Sequence, residues 1–76
     1  MRVSVMDLRK VIYKGNVREV TLPGEEEEIT VLDFHQAFLC RLKEGIVQMR
    51  KPDNRLSING GVARMYRNEL TILVRT

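Results

Sequence analysis

Four features of the 76-residue sequence carry residue types capable of chemistry: His35, Cys40, the acidic run Glu25-Glu26-Glu27-Glu28 and the pair Gly60-Gly61. A cysteine–histidine nucleophile needs its two side chains within hydrogen-bond reach. The five-residue separation of His35 and Cys40 puts them on opposite faces of a strand and out of line on a helix. The plainer assignment is a packed Cys40 and a surface or interface His35. A zinc site needs more nitrogen and sulfur ligands than the one histidine and one cysteine present. The glutamate run lacks the spaced oxygen ligands and glycine turn of a calcium loop, and reads as a solvated acidic loop. Gly60-Gly61 lacks the further glycines and the lysine of a phosphate-binding loop; it marks a bend or bulge between strands. These residues point to no catalytic site, no metal and no cofactor.

Composition bounds what else is possible. The chain is 43% apolar and 30% charged, enough for a core, and its length predicts one domain over residues 1–76. No apolar run reaches the ~18 residues of a membrane span, so no direct membrane insertion is expected. Met1–Lys10 alternates apolar and polar residues, unlike a signal peptide. A single cysteine cannot close an internal disulfide, which suits a reducing cytoplasm. Charge is segregated: residues 1–24 carry five basic and two acidic side chains, residues 25–45 two and six, and residues 46–76 six and two. An acidic middle between basic flanks suits protein partners. Nucleic-acid binding is not expected, since it calls for aromatics interleaved with the basic residues and only four, Tyr13, Phe34, Phe38 and Tyr66, are present.

The elements available to position these residues are strands. Val3 and Val5, Val47 and Met49, Leu56 and Ile58, and Leu70, Ile72 and Val74 each alternate with outward positions, the period of a half-buried strand. Turn chemistry punctuates them: Lys14-Gly15-Asn16 is expected to join Val11–Tyr13 to Val17–Leu22 as a hairpin. Leu22-Pro23-Gly24 should end that strand, Pro52-Asp53-Asn54 should form a turn, Asn59-Gly60-Gly61 should break a strand, and Arg67-Asn68-Glu69 should turn into the last one. Short strands at such spacing predict an all-β sandwich or barrel. Asp33–Gly45 fits two readings. Asp33 could cap a helix whose stripe is Phe34, Ala37, Phe38, Arg41 and Leu42, with Gly45 closing it, or the segment could be extended.

From Gly15 through Gly61 the sequence resembles the epsilon subunit of F-type ATP synthases. The residues that carry the resemblance are Val17, Val20, Leu22-Pro23-Gly24 and Glu28, then Val31, Leu32, His35, Ala37, Leu39, Leu42, Lys43 and Gly45. They stand in one register without a gap up to Gly45. Gly60-Gly61 follows at the family's S-G-G, and Leu70–Val74 at its last strand. The resemblance implies a flattened β-sandwich of two mainly antiparallel sheets, and extended structure for Phe38–Leu42.

It also implies a function without chemistry. The family domain sits on the central stalk of the rotor, grips the gamma subunit and rests on the c-ring, coupling ion translocation to ATP synthesis. It belongs to a hetero-oligomeric complex held peripherally on the cytoplasmic face of the bacterial cell membrane. By resemblance, Glu27, Glu28, Asp33, Phe34 and His35 face c-ring loops, and Asp7 lies near the contact with gamma and c. The family's helical second domain would begin just beyond Thr76, so the chain is expected to couple without that inhibitory tail. The sequence departs from the family at Thr30, at Asp33-Phe34, and at Phe38, where glycine, a proline–glycine pair and proline are usual. Those changes alter the loop and leave a second reading, the same fold serving as an interaction module for another partner.

Overall fold

The computed structural model describes residues 1–75, and all its regular structure is strand. The strands are β1 (Arg2–Met6), β2 (Val11–Asn16), β3 (Glu19–Leu22), β4 (Ile29–Leu32), β5 (Phe38–Arg50), β6 (Asn54–Tyr66) and β7 (Glu69–Val74). They form one mixed sheet in the order β2-β1-β7-β6-β5-β3-β4, antiparallel throughout except for the parallel pair β1–β7.

The sheet folds over because its two longest strands are creased at matching positions. In β5 the inward positions are Phe38, Cys40 and Leu42, then Gly45, Val47 and Met49. In β6 they are Leu56, Ile58 and Gly60, then Gly61, Ala63 and Met65. Alternation slips by one residue on both strands, while the register is unchanged between Leu42↔Gly61 and Glu44↔Asn59. A side-chain period of two allows such a slip only where the backbone bends. Gly60 and Gly61 supply the bend, with φ of +112° and +155°. One layer is then β2, β1, β7 and the halves of β6 and β5 paired with them. The other is the remaining halves with β3 and β4.

Both layers feed a single apolar core that includes Val3, Val5, Val20, Leu22, Val31, Val47, Met49, Met65, Leu70 and Ile72, all essentially inaccessible. Each such side chain contributes about 1.5–3 kcal/mol by leaving water. No polar side chain is buried among the described residues.

The all-β expectation holds, with the two layers being halves of one continuous sheet. Asp33–Gly45 is extended from Phe38 onward, as the resemblance implied, because Phe38, Cys40 and Leu42 each find an inward neighbour at strand spacing. The turns at residues 51–53 and at Arg67-Asn68 form as expected. The hairpin expected at Lys14-Gly15-Asn16 does not. Gly15 and Asn16 lie inside β2, which pairs with β1 (Val3↔Gly15), and β3 pairs with β4 and β5. Gly15 instead leaves space beneath the Tyr13 ring, whose hydroxyl lies 3.1 Å from where a Cβ would stand. Asn59-Gly60-Gly61 creases β6 without ending it.

Candidate partner-binding surfaces

The turn between β1 and β2 is built by Asp7. Its carboxylate accepts hydrogen bonds from the backbone N–H groups of Arg9 (2.7 Å) and Lys10 (2.9 Å), and the Asp7 N–H donates to the Lys10 carbonyl. Those backbone donors, with the positive charges of Lys10 and Arg9, hold the carboxyl below the usual aspartate value. The carboxylate is therefore engaged by the turn, and what the turn presents is Leu8, 94% exposed.

Asp33, Phe34 and His35 lie at the opposite end of β1. The Met1 amino group donates to the Val17 carbonyl (2.9 Å) and pairs with the Asp33 carboxylate. The Phe34 N–H donates to Asn68 Oδ1 at 2.7 Å, and the His35 N–H to the Leu32 carbonyl. Phe34 sits at φ +62°, and the residue is 81% exposed. A bulky residue in the left-handed region is costly without outside support. Here the support comes from Asn68, itself at φ +59° in the β6–β7 turn. The His35 ring meets Phe38 edge-on at 5.3 Å. His35 Nδ1 lies 2.9 Å from the Gln36 carbonyl oxygen, which can only accept, so Nδ1 carries the proton in that contact.

Glu25–Glu28 form an exposed loop before β4, tied to β5 by the Glu25 N–H donating to the Arg41 carbonyl and the Gly24↔Leu42 bridge. Cys40 is on β5 beside this loop, packed against the core, and burial pushes its thiol up. It makes no pair with His35, whose ring contacts Gln36 and Phe38. No three His, Cys, Asp or Glu side chains converge to hold a metal among the described residues. The structure thus brings Asp33, Phe34 and His35 together and leaves Glu27–Glu28 on a separate edge. Asp7 lies about 20 Å away along β1, the rise of six residues.

One surface escaped the sequence reading. On the outer face of the first layer, direct cross-strand partners run Val62, Leu73, Met6, Val11, all at outward or half-exposed positions. Beside them the Asp7 turn and Ile12 border an open groove of about 1020 Å³ that reaches Arg75. Clustered apolar side chains on an outer strand face mark contact surfaces. The signal was present, since period two assigns Leu73 outward, but only strand order shows that Val62 and Met6 are its neighbours.

The chain matches the family described as ATP synthase, Delta/Epsilon chain, beta-sandwich domain over residues 1–76. It is 34% identical over 77 residues to an ATP synthase epsilon chain of a Nitratiruptor species, covering 97% of this chain and 60% of that protein. It is 37% identical over 68 residues to an ATP synthase epsilon chain of Campylobacter jejuni, covering 86% and 53%. The chain thus spans little more than half the length of these curated relatives. Its fold is similar to chains in two cryo-EM structures of mitochondrial ATP synthases. For the central stalk and c-ring of Tetrahymena thermophila the TM-score is 0.86 at 17% identity, covering 99% of this chain and 63% of the other. For the F1 and c-ring assembly of Euglena gracilis the TM-score is 0.86 at 21% identity, covering 95% and 48%.

Proposed function

This chain belongs to the family of ATP synthase delta/epsilon-chain β-sandwich domains, and from that premise we propose that it is a non-catalytic part of the rotor of an F-type ATP synthase. In this reading it lies on the central stalk at the cytoplasmic face of a bacterial membrane, binding the gamma subunit and the c-ring so that rotation is transmitted between ion translocation and ATP synthesis. The match to the family over residues 1–76 is the observation that carries it.

The geometry supports a part that touches two neighbours. The outer face of the first layer offers the apolar row Val62, Leu73, Met6 and Val11, flanked by Leu8, to the gamma subunit. The end bearing Asp33, Phe34 and His35, and the separate edge carrying Glu27 and Glu28 at the other end of β4, are offered to c-ring loops. Asp7 acts by shaping the turn that carries Leu8. Complementary charge at such contacts fixes register and orientation, which a torque-bearing joint needs. The test is to mix the purified chain with the gamma subunit of the same organism and separate by size. A stoichiometric complex is expected, and separate elution of the two would overturn the proposal.

A further inference from the structure

Two guanidinium groups flank one exposed aromatic ring on the outer face of the first layer. Arg64 and Arg67 lie 5.5 Å and 5.3 Å from the centre of the Tyr66 ring, which is half exposed. Arg64 and Tyr66 follow Val62 at successive outward positions of β6. Arg64 is opposite Leu39 on one side and Thr71 on the other.

Among the described residues neither arginine is ion-paired, the salt bridges being Met1–Asp33 and Glu19–Arg50. Outward positions across the same face add Arg2 and Lys14, and Glu69 is the acidic residue set against them. Planar guanidiniums held against an aromatic ring are pre-organised forks for a carboxylate. Left unpaired beside an apolar row, they complement an acidic occupant.

Direction of approach separates the candidates. Arg64 stands on the broad face of β6 in line with Val62, Tyr66 ends that strand, and Arg67 is in the β6–β7 turn whose Asn68 holds Phe34. A flat lipid surface meeting the Asp33–His35 end would touch the Arg67 turn, whereas a protein segment laid along β6 would cover Val62, Arg64 and Tyr66 together.

We propose that the partner covering this face is a protein segment bearing a carboxylate beside its apolar contact, and that Arg64 and Arg67 grip that carboxylate over Tyr66. The spacing sets a geometric requirement. Successive outward residues of a strand are about 6.7 Å apart, so the carboxylate lies about 7–13 Å from the group that packs on Val62 and Leu73. On a helix this corresponds to positions about five to nine residues apart. The identity of the partner as the gamma subunit rests on the function proposed above; the acidic chemistry rests on the arginines.

The experiment is titration of the chain with the gamma subunit at low and high salt, using wild type, Arg64→Gln, Arg67→Asn and the pair. Asparagine tolerates the left-handed backbone at position 67 (φ +49°), and both side chains are exposed, so the variants should melt with wild type. Each single change is expected to raise Kd about tenfold and the pair about a hundredfold, with a flatter salt dependence. If the pair binds gamma as wild type while Leu73→Asp abolishes binding, the acidic grip is wrong and the stalk assignment stands.

If gamma does not bind at all, a second measurement decides the chemistry. A synthetic helical peptide with a leucine stripe and two glutamates is compared with its glutamine counterpart by amide chemical shifts. Perturbation of Tyr66 and Arg67 by the glutamate peptide alone supports the proposal, and equal or absent perturbation overturns it. Binding to vesicles of phosphatidylcholine with about one-third phosphatidylglycerol that is lost in the arginine pair would also overturn it, in favour of a lipid surface.

Discussion

Replacing Gly61 by alanine places a methyl carbon 2.2 Å from the Leu73 carbonyl oxygen and 3.0 Å from Val74 Cα. A carbon–oxygen contact needs about 3.3 Å, so β7 would have to retreat by about 1 Å from a ladder whose strands are normally ~4.8 Å apart. That movement weakens two backbone hydrogen bonds at about 0.5–1 kcal/mol each. Holding alanine at φ +155° adds about 1–2 kcal/mol more. The expected cost is about 2–4 kcal/mol, a large share of the ~4–11 kcal/mol that a chain of this size commands. The midpoint of thermal unfolding should fall by about 10–25 °C.

Gly60→Ala isolates the conformational part, since its nearest non-neighbour atom would be Leu42 O at an ordinary 3.4 Å and φ is +112°. About 1–2 kcal/mol is expected there. Gly15→Ala meets only the movable end of Tyr13 and should change stability by less than about 0.5 kcal/mol. The assay is urea unfolding followed by far-ultraviolet circular dichroism, extrapolated linearly to water. Gly61→Ala within about 0.5 kcal/mol of wild type, or less damaging than Gly60→Ala, would refute the crease as the device that folds the sheet.

Met49→Ala should cost about 2–5 kcal/mol by opening a cavity in the core, whereas Leu39→Ala, on the exposed face, should cost less than about 0.5 kcal/mol in the same unfolding assay. Asn68→Gly keeps the left-handed turn but removes the acceptor of the Phe34 N–H. Hydrogen exchange at Phe34 should rise at least about tenfold while global stability drops by about 1 kcal/mol; unchanged exchange would show that Asn68 does not pin the loop. The Asp7 carboxyl should titrate below its value in the unfolded chain, read by carboxyl-carbon NMR. Because the folded state prefers the ionised form, its contribution is present above the unfolded pKa and is lost as pH falls through the folded one; a titration at or above the unfolded value would contradict the turn. Cys40, its thiol raised by burial, should alkylate more slowly with iodoacetamide than a cysteine in a short peptide at the same pH.

Alternation made the core legible before the fold was known. Val3 and Val5, Val47 and Met49, Leu56 and Ile58, and Leu70, Ile72 and Val74 point inward as period two requires. Pairing was not legible from local chemistry. Lys14-Gly15-Asn16 has hairpin residues, yet β2 pairs back to β1 through the Asp7–Lys10 turn, a competing hairpin closed by the Asp7 carboxylate. Asp33–Gly45 satisfied helix and strand templates alike, and the choice fell to the inward neighbours of Phe38, Cys40 and Leu42. Among the candidate contacts, Asp33, Phe34 and His35 could be grouped from their adjacency. The row Val62, Leu73, Met6 and Val11 could not, because it assembles from four strands whose order the sequence does not state. The Arg64–Tyr66–Arg67 cluster was hidden differently: its spacing is visible, but only the turn at Arg67-Asn68 swings the second guanidinium back over the ring.

In the proposed complex this sandwich docks on a rotor stalk through the outer face of its first layer. The most direct measurement is a backbone amide shift map of the chain on addition of the gamma subunit. A one-to-one complex with changes concentrated at Val62, Leu73, Met6, Leu8 and Tyr66, and little change on β3 and β4, is the predicted result. No complex at saturating concentrations, or a footprint centred on β3 and β4, would contradict it.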